Sequence, residues 1–161
     1  MTILKKEVES KARIRFSDCD PFNHLNNARY IDYIINARED QLRDAYGFDI
    51  YRLASEKGVG WVSAQTQISY FSPAMLNEEV VIQTRLIGAT DKSLLLEALM
   101  WNSGKTALKA LMWAKLVHYN LQARRSETHA PDLVDFFSRI VSPLAADTTF
   151  DTRIKQLKAP K

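Results

Sequence analysis

Asp18-Cys19-Asp20-Pro21-Phe22-Asn23-His24-Leu25-Asn26-Asn27-Ala28-Arg29-Tyr30 gathers two carboxylates, an imidazole and two adjacent amides directly ahead of a long amphipathic stretch. No other segment concentrates so many groups able to do chemistry. A carboxylate can act as base or nucleophile, and a histidine can orient a carbonyl or carry a proton. The free N–H groups of a helix start can hold an anion.

Each group also has a plainer reading. Asp20 precedes Pro21, which biases it to an extended backbone outside the helix. There it serves either as the base or nucleophile of a hydrolase or as a turn-former bonded to its own loop. Asp18 reads as structural. His24, four positions after Asp20, is either a catalytic imidazole or a loop histidine bonded to backbone. Asn26 and Asn27 are good N-cap residues, so a helix starts about there. A carbonyl lying over that end would meet a free N–H and the positive end of the helix dipole.

Other chemistries fit the spacing poorly. Asp18 and Asp20 mimic the start of a calcium loop, but Phe22, Asn23 and Arg29 stand where an oxygen ligand, a glycine and a glutamate are needed. Cys19 is the single cysteine, so no intrachain disulfide forms, and the flanking aspartates raise its thiol pKa and blunt it as a nucleophile. His118 and His129 are isolated in sequence and make no zinc pattern. No metal and no cofactor is expected. Phe71, Trp101, Met112 and Trp113 fall on strand patterns and read as core or interface.

Periodicity gives the elements that must position these groups. Ala12, Ile14 and Phe16 alternate with Lys11, Arg13, Arg15 and Ser17, which predicts a strand over 11–17. Ile31, Ile34, Ile35, Arg38, Leu42 and Tyr46 recur at helical spacing up to Gly47, a helix of about five turns. A turn or short helix over 49–56 precedes Gly58 and Gly60. Strands are predicted over 61–71, 79–87, 93–101 and 106–119, with Pro73 closing the first and hairpin-length links joining the rest. One strand, one helix and four strands imply an α+β fold, an antiparallel sheet packed on one long helix. Pro131 opens a further helix to Ile140, and the weakly patterned tail from Asp147 reads as a peripheral helix or as partly disordered. The expected organisation is one domain over 1–125 and a C-terminal extension over 126–161.

With 161 residues, 46% of them hydrophobic and 25% charged, the chain has the makings of one globular domain with a real core. No apolar run is long enough to cross a bilayer, and Met1-Thr2-Ile3-Leu4-Lys5-Lys6 lacks the apolar core of a signal peptide. Together with the lone cysteine, these features lead us to expect a cytoplasmic protein with no membrane partner. The net charge of +3 comes from cations scattered among 19 acidic residues, without a basic stripe. That argues against a nucleic-acid partner and permits polyanionic small molecules.

Over about residues 10–120, the motif from Asp18 to Tyr30, the element order and the Tyr70-Phe71-Ser72-Pro73 strand end resemble the hotdog-fold thioesterases, particularly the 4-hydroxybenzoyl-CoA thioesterase group. The resemblance implies a curved antiparallel sheet wrapped around the central helix. It also implies a catalytic Asp20, an Asn27 N–H that activates the thioester carbonyl, and substrate contacts at Asn26, Tyr30 and Pro73. The motif is similar as well to plant-type acyl-carrier-protein thioesterases, which place an asparagine two residues after the aspartate and a histidine two after that. Phe22 fills the middle position here, so only Asp20 and His24 carry over. The implied activity is hydrolysis of an acyl-CoA to free acid and CoA. An acyl-carrier-protein thioesterase, a hotdog dehydratase and a non-catalytic acyl-CoA-binding protein are the alternatives. A homodimer or homotetramer with an acyl tunnel at the subunit boundary is expected, and Leu108 to Tyr119 is indeed more apolar than one buried face requires. Arg85 and the pair Arg124-Arg125 are the candidates for the CoA phosphates.

Overall fold

The computed structural model describes residues 2–160. Its elements run β1 (Glu7–Arg13), α1 (Tyr30–Tyr46), α2 (Ile50–Lys57), β2 (Val59–Tyr70), β3 (Glu79–Ala89), β4 (Ser93–Asn102), β5 (Leu108–Asn120), β6 (Arg125–Ser126), α3 (Pro131–Ile140) and α4 (Phe150–Lys158). The sheet is antiparallel in the order β1-β3-β4-β5-β2, with β6 paired to β5. The expected α+β arrangement of one sheet on one long helix is what forms.

The first strand lies earlier than 11–17. β1 pairs with β3 from Glu7↔Arg85 to Arg13↔Glu79, where β3 itself begins, and only Ile14 reaches further, bonding to Glu78 O and Asn77 N. The chain instead makes a 3-10 turn over Phe16–Asp18. Phe16, whose alternation placed it beside Ala12 and Ile14, is 82% exposed.

α1 ends where Gly47 takes the left-handed conformation at φ 64°, donating its N–H to the Arg43 carbonyl. On its buried face, Tyr30, Ile34 and Ala37 join Ile82, Ala98, Met100, Ala110 and Met112 in the concave core, and Arg38 and Gln41 hydrogen-bond to Thr84. α2 is capped at the start by Asp49 Oδ1, which accepts from Tyr51 N (2.9 Å) and Arg52 N (3.1 Å).

The other face of the sheet is covered by the chain's own C-terminus. Leu99, Leu111 and Trp113 pack there with Leu144, Phe150, Ile154 and Leu157. At Leu111 and Trp113, part of the apolar excess of β5 is thus covered by the chain's own C-terminal segment. The weakly patterned tail folds as α4, started by a capping box between Thr149 and Thr152. α3 lies elsewhere, with Leu133, Phe137 and Ile140 buried against Leu86 and Leu94.

Candidate active site

The loop before α1 is closed by a short two-stranded ladder. Asp20 N donates to His24 O (2.8 Å), Asn26 N to Asp18 O (2.9 Å), and Cys19 bridges Leu25. The 71–78 segment then clamps it from outside, with Leu25 N donating to Ala74 O and Leu76 N to Asn23 O. Asn23 turns the corner at φ 61°, a left-handed position that asparagine tolerates.

Asp20 bonds to its own loop, as its turn-forming reading has it. Its Oδ1 accepts from Phe22 N (2.9 Å) and His24 N (3.1 Å). Its Oδ2 has no hydrogen bond among the described residues, and the side chain is half-buried. Asp18 is structural: its Oδ2 accepts from the Tyr33 hydroxyl at 2.7 Å, and that hydroxyl in turn accepts from Arg15 N. Cys19 donates its thiol to Arg15 O. Burial, then the charges of Asp20 and Asp18, push that thiol above its ordinary range, away from thiolate chemistry.

The helix start divides its duties between two asparagines. Asn26 Oδ1 caps a 3-10 turn over Asn27–Arg29 by accepting from Ala28 N at 3.1 Å, and α1 continues from Tyr30. Asn27 N–H bonds to no group among the described residues, while the Asn27 carbonyl accepts from the Tyr70 hydroxyl at 2.9 Å. Tyr70 thus ties the end of β2 to the peptide that follows the free N–H. Sequence reasoning quoted Tyr70 in the strand end without giving it this role.

The other predicted contacts fall in three places. The His24 ring is half-buried, 6.3 Å from the Phe22 ring, and free of side-chain hydrogen bonds among the described residues. Tyr30 is 2% exposed, edge-on to Tyr70, and its hydroxyl accepts from Ala74 N, so it braces the 71–78 clamp. Burial pushes its phenol up. Pro73 is exposed, and its carbonyl accepts from the buried Lys109, which also pairs with Glu78 at 2.9 Å.

Arg85 is not available to a phosphate. It shares Glu97 with Arg153, each guanidinium at 2.8 Å, and Trp113 Nε1 donates to the same carboxylate at 2.9 Å. Burial alone would push the Glu97 carboxyl up. The hydrogen bonds from Arg153, Trp113 and Arg85 outweigh it and hold the group below the ordinary glutamate range. Arg124 and Arg125 remain exposed.

His118 and His129, far from His24 in sequence, come together with ring centroids 4.8 Å apart. His129 Nε2 accepts from Trp61 Nε1 at 3.1 Å, and its Nδ1 bonds to Thr90 O. Burial, reinforced by His118, holds His129 below the ordinary histidine range.

The sequence matches the family model of the thioesterase-like superfamily over residues 14–141. The chain belongs to that superfamily. The match runs beyond the sheet and takes in α3. Among curated proteins, the long-chain acyl-CoA thioesterase FadM of Escherichia coli is 27% identical over 86 residues, 53% of this chain and 63% of that protein. The chain therefore spans less than two thirds of that relative's length. Two solved structures share the fold. The DHNA-CoA thioesterase of Staphylococcus aureus superposes with a TM-score of 0.76 at 13% identity, over 96% of this chain and 97% of the other. A 1,4-dihydroxy-2-naphthoyl-CoA thioesterase from Synechocystis gives 0.73 at 11% identity, over 82% and 96%. The α+β fold is the hotdog arrangement of these relatives.

Proposed function

We propose that the chain hydrolyses acyl-CoA thioesters at the loop that opens α1. One pairing carries the reading: an aspartate with one oxygen spent on its loop and the other free, beside a helix start with an unspent N–H. In a thioesterase-like chain these are a base or nucleophile and an oxyanion donor.

The thioester carbonyl oxygen lies on Asn27 N–H, where the α1 dipole adds to the stabilisation of developing negative charge. Asp20 Oδ2 then either takes a proton from the attacking water or itself attacks the carbonyl carbon. In the second route an acyl-aspartyl anhydride forms as the C–S bond breaks, and water cleaves it. Both routes consume one water and release one carboxylic acid and one thiol. His24 orients the carbonyl, and Asn26 fixes the peptide that carries the donor. A single turnover in 18O-water separates the routes: general-base attack puts the label in the released acid, whereas hydrolysis of the anhydride at the aspartyl carbon leaves the label in the Asp20 carboxylate and releases unlabelled acid.

CoA is read as the carrier, with exposed Arg124 and Arg125 facing its phosphates. Within one protomer these arginines sit by Asn120, at the opposite end of β2 from Tyr70 and Asn27. Antiparallel joining of two copies along the open edge of β2 brings them to the second copy's site. That edge pairs with no strand among the described residues, and Val62 to Gln67 are exposed along it. Thiol release from acyl-CoA compared with the same acyl group on a carrier protein tests the carrier, and sedimentation tests the dimer. A preference for the carrier protein would overturn the CoA assignment, and a monomer would overturn the joining.

A further inference from the structure

A pocket of about 320 Å³ lies between α1, α2 and the sheet, away from the loop that carries Asp20. Ile35, Leu42, Leu96 and Leu116 form its aliphatic walls, and Phe48, Trp61 and Phe137 stand at the end where α1 finishes. Each polar group that reaches it already has a protein partner. Arg38 donates to Thr84 Oγ1 at 3.0 Å, Glu39 accepts from the Tyr51 hydroxyl at 2.7 Å, and Trp61 Nε1 is held by His129. With few polar groups, each tied to a protein partner, such a mostly apolar lining is a poor match for the hydroxyls of a hydroxylated aromatic acyl group, which a selective site would pair. It suits an unbranched aliphatic chain, which asks only for removal from water.

Phe137 is the unexpected member, because it comes from α3, beyond the sheet that defines the fold. It is buried and fixed by aromatic contacts on three sides: Trp61 at 5.7 Å, His129 at 5.1 Å and Phe136 at 5.4 Å between centroids. His129, bonded to both Trp61 and the Thr90 carbonyl, bolts this wall to the β3–β4 turn. Ile35 and Leu42 are seven residues apart on one side of α1, a span of about 10 Å. At the roughly 1.2 Å per bond of an extended chain, that length takes about eight carbons.

We infer that α3 is the chain-length stop of this enzyme: Phe137, locked against Trp61, is the end wall of a pocket for the far half of an aliphatic acyl chain. The inference rests on the proposed thioester hydrolysis and adds the substrate class and the residue that limits it.

The test is a profile of kcat/KM for saturated straight-chain acyl-CoAs, from butanoyl to octadecanoyl, with the full chain and three variants. Phe137→Ala opens the wall and moves the optimum to chains about two carbons longer, gaining about fourfold in kcat/KM for each methylene newly buried. Phe137→Leu removes less core volume and gives a smaller shift in the same direction. Ala54→Leu fills the pocket from α2 without touching α3 and moves the optimum to shorter chains. Folded variants that all keep the wild-type profile would overturn the inference. Binding of free saturated fatty acids, read by displacement of a fluorescent polyene fatty acid, gives the same length ordering without catalysis. If no acyl-CoA is hydrolysed yet the binding optimum shifts with Phe137, the hydrolase reading fails and the wall stands. Unshifted binding removes the wall whatever the activity.

Discussion

Two carboxylates, Asp20 and Glu97, sit among hydrogen-bond donors at opposite faces of the molecule and end in opposite states. Glu97 is 1% exposed, and both its oxygens are filled by Arg85, Arg153 and Trp113. Asp20 is half-buried, fills one oxygen with two loop N–H groups and leaves the other bare. A carboxylate with every lone pair engaged is a fastener, and its partners are the reason it can be buried at all. A carboxylate with one oxygen in hand keeps a group for chemistry, and its loop bonds hold that group in place.

Exchanging each acid for its amide should separate the two roles most widely. Asp20→Asn keeps an oxygen for the Phe22 and His24 N–H groups, so thermal unfolding shifts little while turnover falls by at least a hundredfold. Glu97→Gln should do the reverse. It leaves two half-buried guanidiniums short of their charge partner, at a cost of up to about 3 kcal/mol in denaturant unfolding, with kcat unchanged in the folded fraction. Loss of turnover in Glu97→Gln at full stability would erase the distinction.

Acid should act on the same contrast. The Glu97 carboxyl titrates lower in the folded chain than in the unfolded one. Its contribution is therefore fully present above the ordinary glutamate pKa, about 4.3, and is lost as pH falls through the lower folded value. Unfolding free energy measured between neutral pH and pH about 3 should drop more steeply in wild type than in Glu97→Gln. Parallel slopes would remove Glu97 as the linked group. Tyr70→Phe is the smallest expected change. It frees the Asn27 carbonyl and loosens the peptide at the helix start, lowering kcat about tenfold with KM held. A change in KM alone would make Tyr70 a substrate contact instead.

Most of the fold was legible because its signals are local. Gly47, the 31–46 helical spacing and the hairpin links each announce an element without reference to the rest. The first strand was misplaced because alternation at Arg15 and Phe16 continues past the last residue that β3 can pair. The β5 apolar excess was real, but sequence could not say that Phe150, Ile154 and Leu157 cover part of it, since a nine-residue helix with a thin apolar stripe shows little periodicity. The loop's residues were readable by type, and Asn26 caps as its chemistry predicts. The division of Asp20 into an engaged and a free oxygen, the Tyr70 tie and the meeting of His118 with His129 depend on tertiary approach. No spacing rule contains them.

The most direct measurement is thiol release from a panel of short-chain, long-chain and aromatic acyl-CoAs by wild type and Asp20→Asn, with His24→Ala beside them and folding checked for each. The account predicts hydrolysis of at least one acyl-CoA by wild type, its loss in folded Asp20→Asn, and a smaller loss in His24→Ala. Full turnover by Asp20→Asn would contradict it.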